Sequence, residues 1–103
     1  MSLKTESNVK IKPNVKLPEP PMFKIIYIND DLTTIEFVIQ SLITHFSYTD
    51  DTASNITRGI HTEGSAVVAV MPYEIAEQKG IEVTLEAREQ GFPLQVKIEA
   101  EAS

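Results

Sequence analysis

An apolar run beginning at Phe23 stops on Asn29-Asp30-Asp31 and resumes at helical spacing from Ile35 onward. This break constrains the fold more than any other feature of the chain. Phe23 to Ile28 alternates like a strand, with Phe23, Ile25 and Tyr27 on one face and Lys24, Ile26 and Ile28 on the other. After it, Thr33-Thr34-Ile35-Glu36 reads as a capping box, and Ile35, Val38, Ile39, Leu42, Ile43 and Phe46 form the apolar stripe of a first helix. The three polar residues at the junction are costly to bury and are poor strand formers. They either satisfy backbone amides as turn residues or converge on a ligand, for which a cation is the best match.

The remaining pattern supplies two more helices and two more strands. Thr49, Asp50 or Asp51 starts a second helix that turns Ala53, Ile56 and Ile60 inward, ends at Gly64 and holds His61 in its last turn. Ala66 to Met71 is apolar throughout, as expected of a strand covered on both faces or central in a small sheet. Pro72 suits the first position of a third helix reaching about Gln90, with Ile75, Ala76, Lys79, Val83 and Ala87 on one face and Ile81 and Leu85 widening it. Gly80 within it points either to close packing on the sheet or to a kink, and Gly91 ends it. Leu94, Val96 and Ile98 alternate with polar residues in a last strand. The order β-α-α-β-α-β predicts an α+β fold, three helices packed on a three-stranded antiparallel sheet.

Residues 1–21 hold four prolines, Pro13, Pro18, Pro20 and Pro21, and no sustained periodicity, so they are expected to form a flexible, disordered N-terminal tail. Residues 22–103 then form one core domain. A unit of about 80 residues buries roughly 60–65 % of its unfolded surface, which allows a shallow groove but no enclosed cofactor. The net charge of −6 divides unevenly: the tail carries four lysines against two glutamates, and the rest five basic against 13 acidic side chains. An acidic domain repels phosphate backbones and favours cationic ligands and basic protein surfaces, so no nucleic-acid partner is expected.

The chain has no cysteine, which removes disulfides, thiolate metal sites and a cysteine nucleophile. No apolar stretch approaches the roughly 20 residues needed to span a bilayer, so a cytoplasmic protein without a membrane partner is expected. A metal site would have to combine Asp30 or Asp31 with His61, Glu63 or His45, and no metal-ligand spacing supports it. No nucleophile elbow or phosphate-cradling glycine loop is present, so neither an enzyme nor a cofactor is expected. Glu74, Glu77 and Lys79, at the start of the third helix, read as a solvated face or a protein-docking surface.

These residues resemble the ClpS family, the small adaptors of bacterial Clp proteases. The resemblance is carried by Pro20-Pro21-Met22-Phe23-Lys24, Asn29-Asp30-Asp31-x-Thr33, Glu36-Phe37-Val38, His61-x-x-Gly64, Glu74-x-Ala76-Glu77-x-Lys79, Ala87-Arg88-Glu89 and Pro93-Leu94. It implies an adaptor that recognises N-degron substrates and delivers them to a ClpA-type or ClpC-type AAA+ unfoldase for ATP-dependent proteolysis. By resemblance, Asn29, Asp30 and His61 bind the substrate α-amine and Thr33 lies near the first peptide unit. Tyr27, Ile35, Val38, Thr57, Ile60 and Leu94 would line the pocket for the first side chain. Glu74, Glu77 and Lys79 would dock on the unfoldase's N-terminal domain, and the tail would engage it during delivery.

The chemistry agrees with those roles. An α-amine with a pKa near 7.7–8.0 is mostly an ammonium at neutral pH and needs acceptors, which Asp30, Asn29 and unprotonated His61 supply. Asp31 is expected to stabilise the turn and not to bind ligand. Four positions depart from the family pattern: Thr34 stands where Pro is usual, Ile35 and Thr57 where Met is usual, and Tyr27 where a smaller aliphatic residue is common. A stiffer, differently shaped pocket follows. Two other readings compete: an interaction module like the C-terminal domain of a ribosomal stalk protein, which would not need this cluster, and a small acid–base enzyme using Asp30 and His61. A monomer satisfies every feature.

Overall fold

The structure, a computed structural model, describes residues 19–101. Most of the expected tail therefore lies outside the described residues. The elements run β1 (Met22–Ile28), α1 (Ile35–Phe46), α2 (Asp50–Glu63), β2 (Ser65–Pro72), α3 (Tyr73–Glu89) and β3 (Gln95–Ala100). The three strands form one antiparallel sheet in the order β2-β1-β3. This is the expected β-α-α-β-α-β fold.

Strand β1, and not β2, is the centre of the sheet. Its Ile25 and Tyr27 face the helices and are fully buried, while Ile26 and Ile28 on the opposite face are half-buried. Strand β2 is an edge with Val67 and Val70 exposed, so the expectation that it is central or covered on both faces fails. Its unbroken apolar sequence has a local cause. The pairing slips between Ile25 and Ile26, which face Ala69 and Val67, and the extra residue Val68 turns into the core. The valines on the open face are ordinary edge-strand residues, because an exposed apolar side chain carries little information about burial.

Helix α1 starts one residue later than the sequence suggests. Thr34 is the cap, its hydroxyl accepting from the Phe37 amide at 3.2 Å, so Phe37 stands where a capping box needs Glu or Gln. Helix α2 is capped by Thr49, which accepts from the Thr52 amide, and ends at Gly64 with φ +92°. Before α3, Pro72 is the cap and not the first helical residue.

Helix α3 buries a narrow face of small residues, Ala76, Gly80, Val83 and Ala87, and leaves Ile75, Ile81 and Leu85 roughly half exposed. The sequence reading placed those three larger residues inside. Close approach is the reason for the difference. A Cβ on Gly80 would stand 3.3 Å from Ile98 Cδ1, so only a slim helix face fits against β3. The helix ends in a Schellman motif: the Phe92 amide donates to Ala87 O and the Gly91 amide to Arg88 O, with Gly91 at φ +79°. Arg88 then donates to the carbonyls of Phe92 and Leu94, which fixes the path into β3.

Candidate functional site

Beyond Ile28 the chain leaves the sheet and is held in its turn by Asp30. One carboxylate oxygen accepts from the Leu32 and Thr33 amides, both at 2.7 Å, and the other accepts from the Thr33 hydroxyl at 2.8 Å. Partial burial opposes ionisation of Asp30, but these three hydrogen bonds outweigh it. Its pKa is therefore held below that of an ordinary aspartate. The turn-stabilising role expected of Asp31 thus belongs to Asp30, while Asp31 is exposed.

Helix α2 brings the other half of the site. The Asn29 amide donates to Gly64 O at 2.9 Å, which ties the end of β1 to the end of α2, where His61 lies exposed in the last turn. Between these ends opens a cavity of about 240 Å³. Its polar lining is Asn29, Asp30, Asp31, Thr33 and His61; the rest is Ile35, Val38, Thr57 and Ile60. Exposure grades along it, since Ile35 is 55 % exposed while Val38, Thr57 and Ile60 are buried. The cavity therefore pairs a polar, acidic mouth with a largely apolar interior. It is smaller than the roughly 300–1,000 Å³ of sites for drug-sized ligands and suits a single side chain with its attached polar group.

Eight of the ten expected binding residues line this one cavity; Tyr27 and Leu94 do not. Both are core residues with essentially no exposure. The Tyr27 hydroxyl is bonded to Ser41 Oγ at 2.8 Å, and burial pushes its pKa well above the usual phenol value. Tyr27 is a large residue that the core absorbs beneath α1, its ring edge-on to Phe46, so the pocket does not need it as a wall. Conversely, Asp31 lines the cavity although the sequence reading set it aside. Its adjacency to Asp30 was the only signal available.

The other candidates lie elsewhere. His45 turns its ring nitrogens toward Glu86 and Glu82 of α3, at 3.0 and 3.4 Å, and joins two helices. Among the described residues no group of three or more His, Cys, Asp or Glu side chains could hold a metal ion, and no helix is long and apolar enough to cross a membrane. A larger cavity of about 390 Å³ between α1 and α3 is lined mainly by polar residues such as Glu36, Gln40 and Gln90, with Phe37 its one large apolar side chain. Glu74 and Glu77 are exposed on the first turns of α3, Lys79 is half-buried, and Glu77 accepts from the Tyr73 hydroxyl.

Among the cavities of this α+β domain, the one between the ends of β1 and α2 is polar at the mouth and largely apolar within. Comparison with known proteins gives the domain its family. The family model described as "ATP-dependent Clp protease adaptor protein ClpS" matches residues 18–97. The chain is 43 % identical over 96 residues to the ATP-dependent Clp protease adapter protein ClpS of Clostridium acetobutylicum, covering 93 % of this chain and 95 % of that one. It is 36 % identical to the ClpS of Wolinella succinogenes, over 92 % and 93 % of the two chains. Among solved structures, Agrobacterium tumefaciens ClpS2 bound to L-phenylalaninamide superposes with a TM-score of 0.78 at 40 % identity, covering 81 % of this chain and all of that one. The chain belongs to the ClpS family of Clp protease adaptors.

Proposed function

We propose that the cavity receives the N-terminal residue of N-degron substrates and that the domain delivers them to a ClpA-type or ClpC-type AAA+ unfoldase. The observation that carries this reading is the joining of acceptors to an apolar interior in one 240 Å³ cavity. An α-ammonium carries donors and a positive charge directly beside an apolar side chain, which is the complementary arrangement. The L-phenylalaninamide bound by the Agrobacterium relative has that chemistry, a free α-amine next to an aromatic side chain.

The residues divide the work. Asp30 supplies charge, with three acceptor positions already taken by the turn and about one left of the roughly four a carboxylate offers. Asn29 and His61 supply neutral acceptors, and Thr33, with amide and hydroxyl both committed to Asp30, orients that carboxylate beside the first peptide unit. Ile35 closes the mouth over Val38 and Ile60. Glu74, Glu77 and Lys79 on α3 form the unfoldase-docking surface, outside the cavity, so substrate and unfoldase can be held together. The N-terminal residues ahead of the core engage the unfoldase during delivery. The adaptor works as a cytoplasmic monomer and performs no chemistry of its own.

Fluorescence anisotropy with labelled peptides beginning with Phe, Leu, Tyr, Trp or Val tests this. Peptides with a free amine should bind, and their acetylated counterparts should not. Equal binding of the two forms would remove the ammonium site from the reading.

A further inference from the structure

Two buried side chains among the described residues are polar, Ser41 and Thr57, at 3 % and 6 % exposure. Ser41 is explained by the core, because it donates to Val38 O and its oxygen meets the Tyr27 hydroxyl. Thr57 has no such partner outside its own helix. Its hydroxyl donates to Ala53 O at 2.7 Å, one turn back along α2, and the residue lines the substrate cavity. With its only proton committed to that carbonyl, Oγ1 can act toward a ligand solely as an acceptor. Its neighbours along the inner wall, Val38 and Ile60, are apolar and buried, so Thr57 is the one residue of that wall that carries a polar side chain.

We infer that Thr57 Oγ1 sorts the side chains that enter the pocket, accepting a hydrogen bond from a Tyr hydroxyl or a Trp indole N–H and thereby favouring these over Phe and Leu. The inference builds on the N-degron reading of the cavity and adds the substrate preference to it. A Phe or Leu side chain would cover Oγ1 and displace water from it with nothing in return. A ring carrying a donor restores the lost bond. A site that hydrogen-bonds a substrate hydroxyl discriminates against the analogue lacking it, whereas an apolar pocket barely distinguishes the two. One net hydrogen bond sets the scale at about three- to tenfold in affinity.

The test uses the full chain and labelled peptides that differ only in the first residue, Tyr, Phe, Trp or Leu, each with a free and an acetylated amine. Wild type should bind Tyr and Trp peptides about three- to tenfold more tightly than Phe and Leu peptides. Thr57→Val, nearly the same shape without the oxygen, should bring the Tyr-to-Phe ratio to about one, and Thr57→Ser should keep the preference. Circular dichroism melts confirm that each variant is folded, and Thr57→Ala serves if the valine variant is not. A Tyr-to-Phe ratio unchanged by removal of the oxygen, with free amines still required, overturns the role of Thr57 alone. Binding that ignores acetylation, or no binding by any peptide, overturns the N-degron reading and this inference with it.

Discussion

Thr33 answers both oxygens of Asp30, its amide meeting one at 2.7 Å and its hydroxyl the other at 2.8 Å. The residue proposed to hold the ammonium therefore also holds the turn. Its charge and its geometry have to be tested separately. Asp30→Asn keeps an amide oxygen for the Leu32 and Thr33 amides and removes the charge, so peptide binding should fall at least tenfold while stability falls only by what the ionised form contributes. Asp30→Ala removes both and should cost a further 1–2 kcal/mol or so, the range of comparable capping losses. Anisotropy and urea unfolding of the two variants read the two roles independently.

The depressed pKa of Asp30 also sets a pH dependence of stability. Folding favours the ionised form, so its contribution is fully present above the ordinary aspartate value of about 3.9 and is lost as pH falls through the lower folded value. Thermal melts of wild type and Asp30→Asn across pH 2–7 should therefore differ above pH 4 and converge at the acid end. A gap that persists at pH 2 would contradict this account.

Ligand binding should respond at the alkaline end. A substrate α-amine titrates near 7.7–8.0, and its neutral form lacks the charge that Asp30 is proposed to meet. Affinity should decline by about tenfold per pH unit once pH exceeds about 8.5. A flat profile from pH 7 to 10 would place the binding energy in the side-chain pocket alone.

Tyr27 separates core from pocket. The Ser41 hydroxyl proton goes to Val38 O, so Tyr27 is the donor in the Tyr27–Ser41 bond. Tyr27→Phe should destabilise the fold by about 0.5–1.5 kcal/mol in urea unfolding and leave peptide affinity unchanged. A shift in affinity without a shift in stability would put Tyr27 back into the site.

Gly80 tests the close approach of α3 to the sheet. The nearest atom to an added methyl is Ile98 Cδ1, the movable end of a side chain, at 3.3 Å. Gly80→Ala gains helix propensity of about 1 kcal/mol against that squeeze and should stay within about 1 kcal/mol of wild type. Gly80→Leu should lose about 1–3 kcal/mol by overpacking, measured by urea unfolding.

The legible parts of this chain were those written in local chemistry. Strand alternation in β1, a start of α2 within Thr49 to Asp51, and Gly64 and Gly91 as helix stops each follow from a few neighbouring residues. The convergence of Asn29 and Asp30 with His61, by contrast, depends on a backbone contact between chain segments far apart in sequence, and it was reached through family resemblance. Errors arose where tertiary packing chose between equal local options. Thr33 and Thr34 are both good caps, and the choice went to Thr34 because Asp30 had claimed Thr33. Ile75, Ile81 and Leu85 are as apolar as any core residue, yet Gly80 and Ala76 win the buried face because the sheet lies so near. Tyr27 belongs to the fold because Ser41 gives its hydroxyl a partner.

The hydrogen bond from the Asn29 amide to Gly64 O has a further meaning. It is made by main-chain atoms alone, so the gape between the two halves of the site is fixed by atoms that no point substitution deletes, short of proline at position 29. Side chains lining the cavity, Ile35 at its mouth and Thr57 on its inner wall among them, are thus free to vary while the jaws stay registered. Diversification of what the adaptor accepts can proceed one residue at a time, with no intermediate that has lost the grip itself.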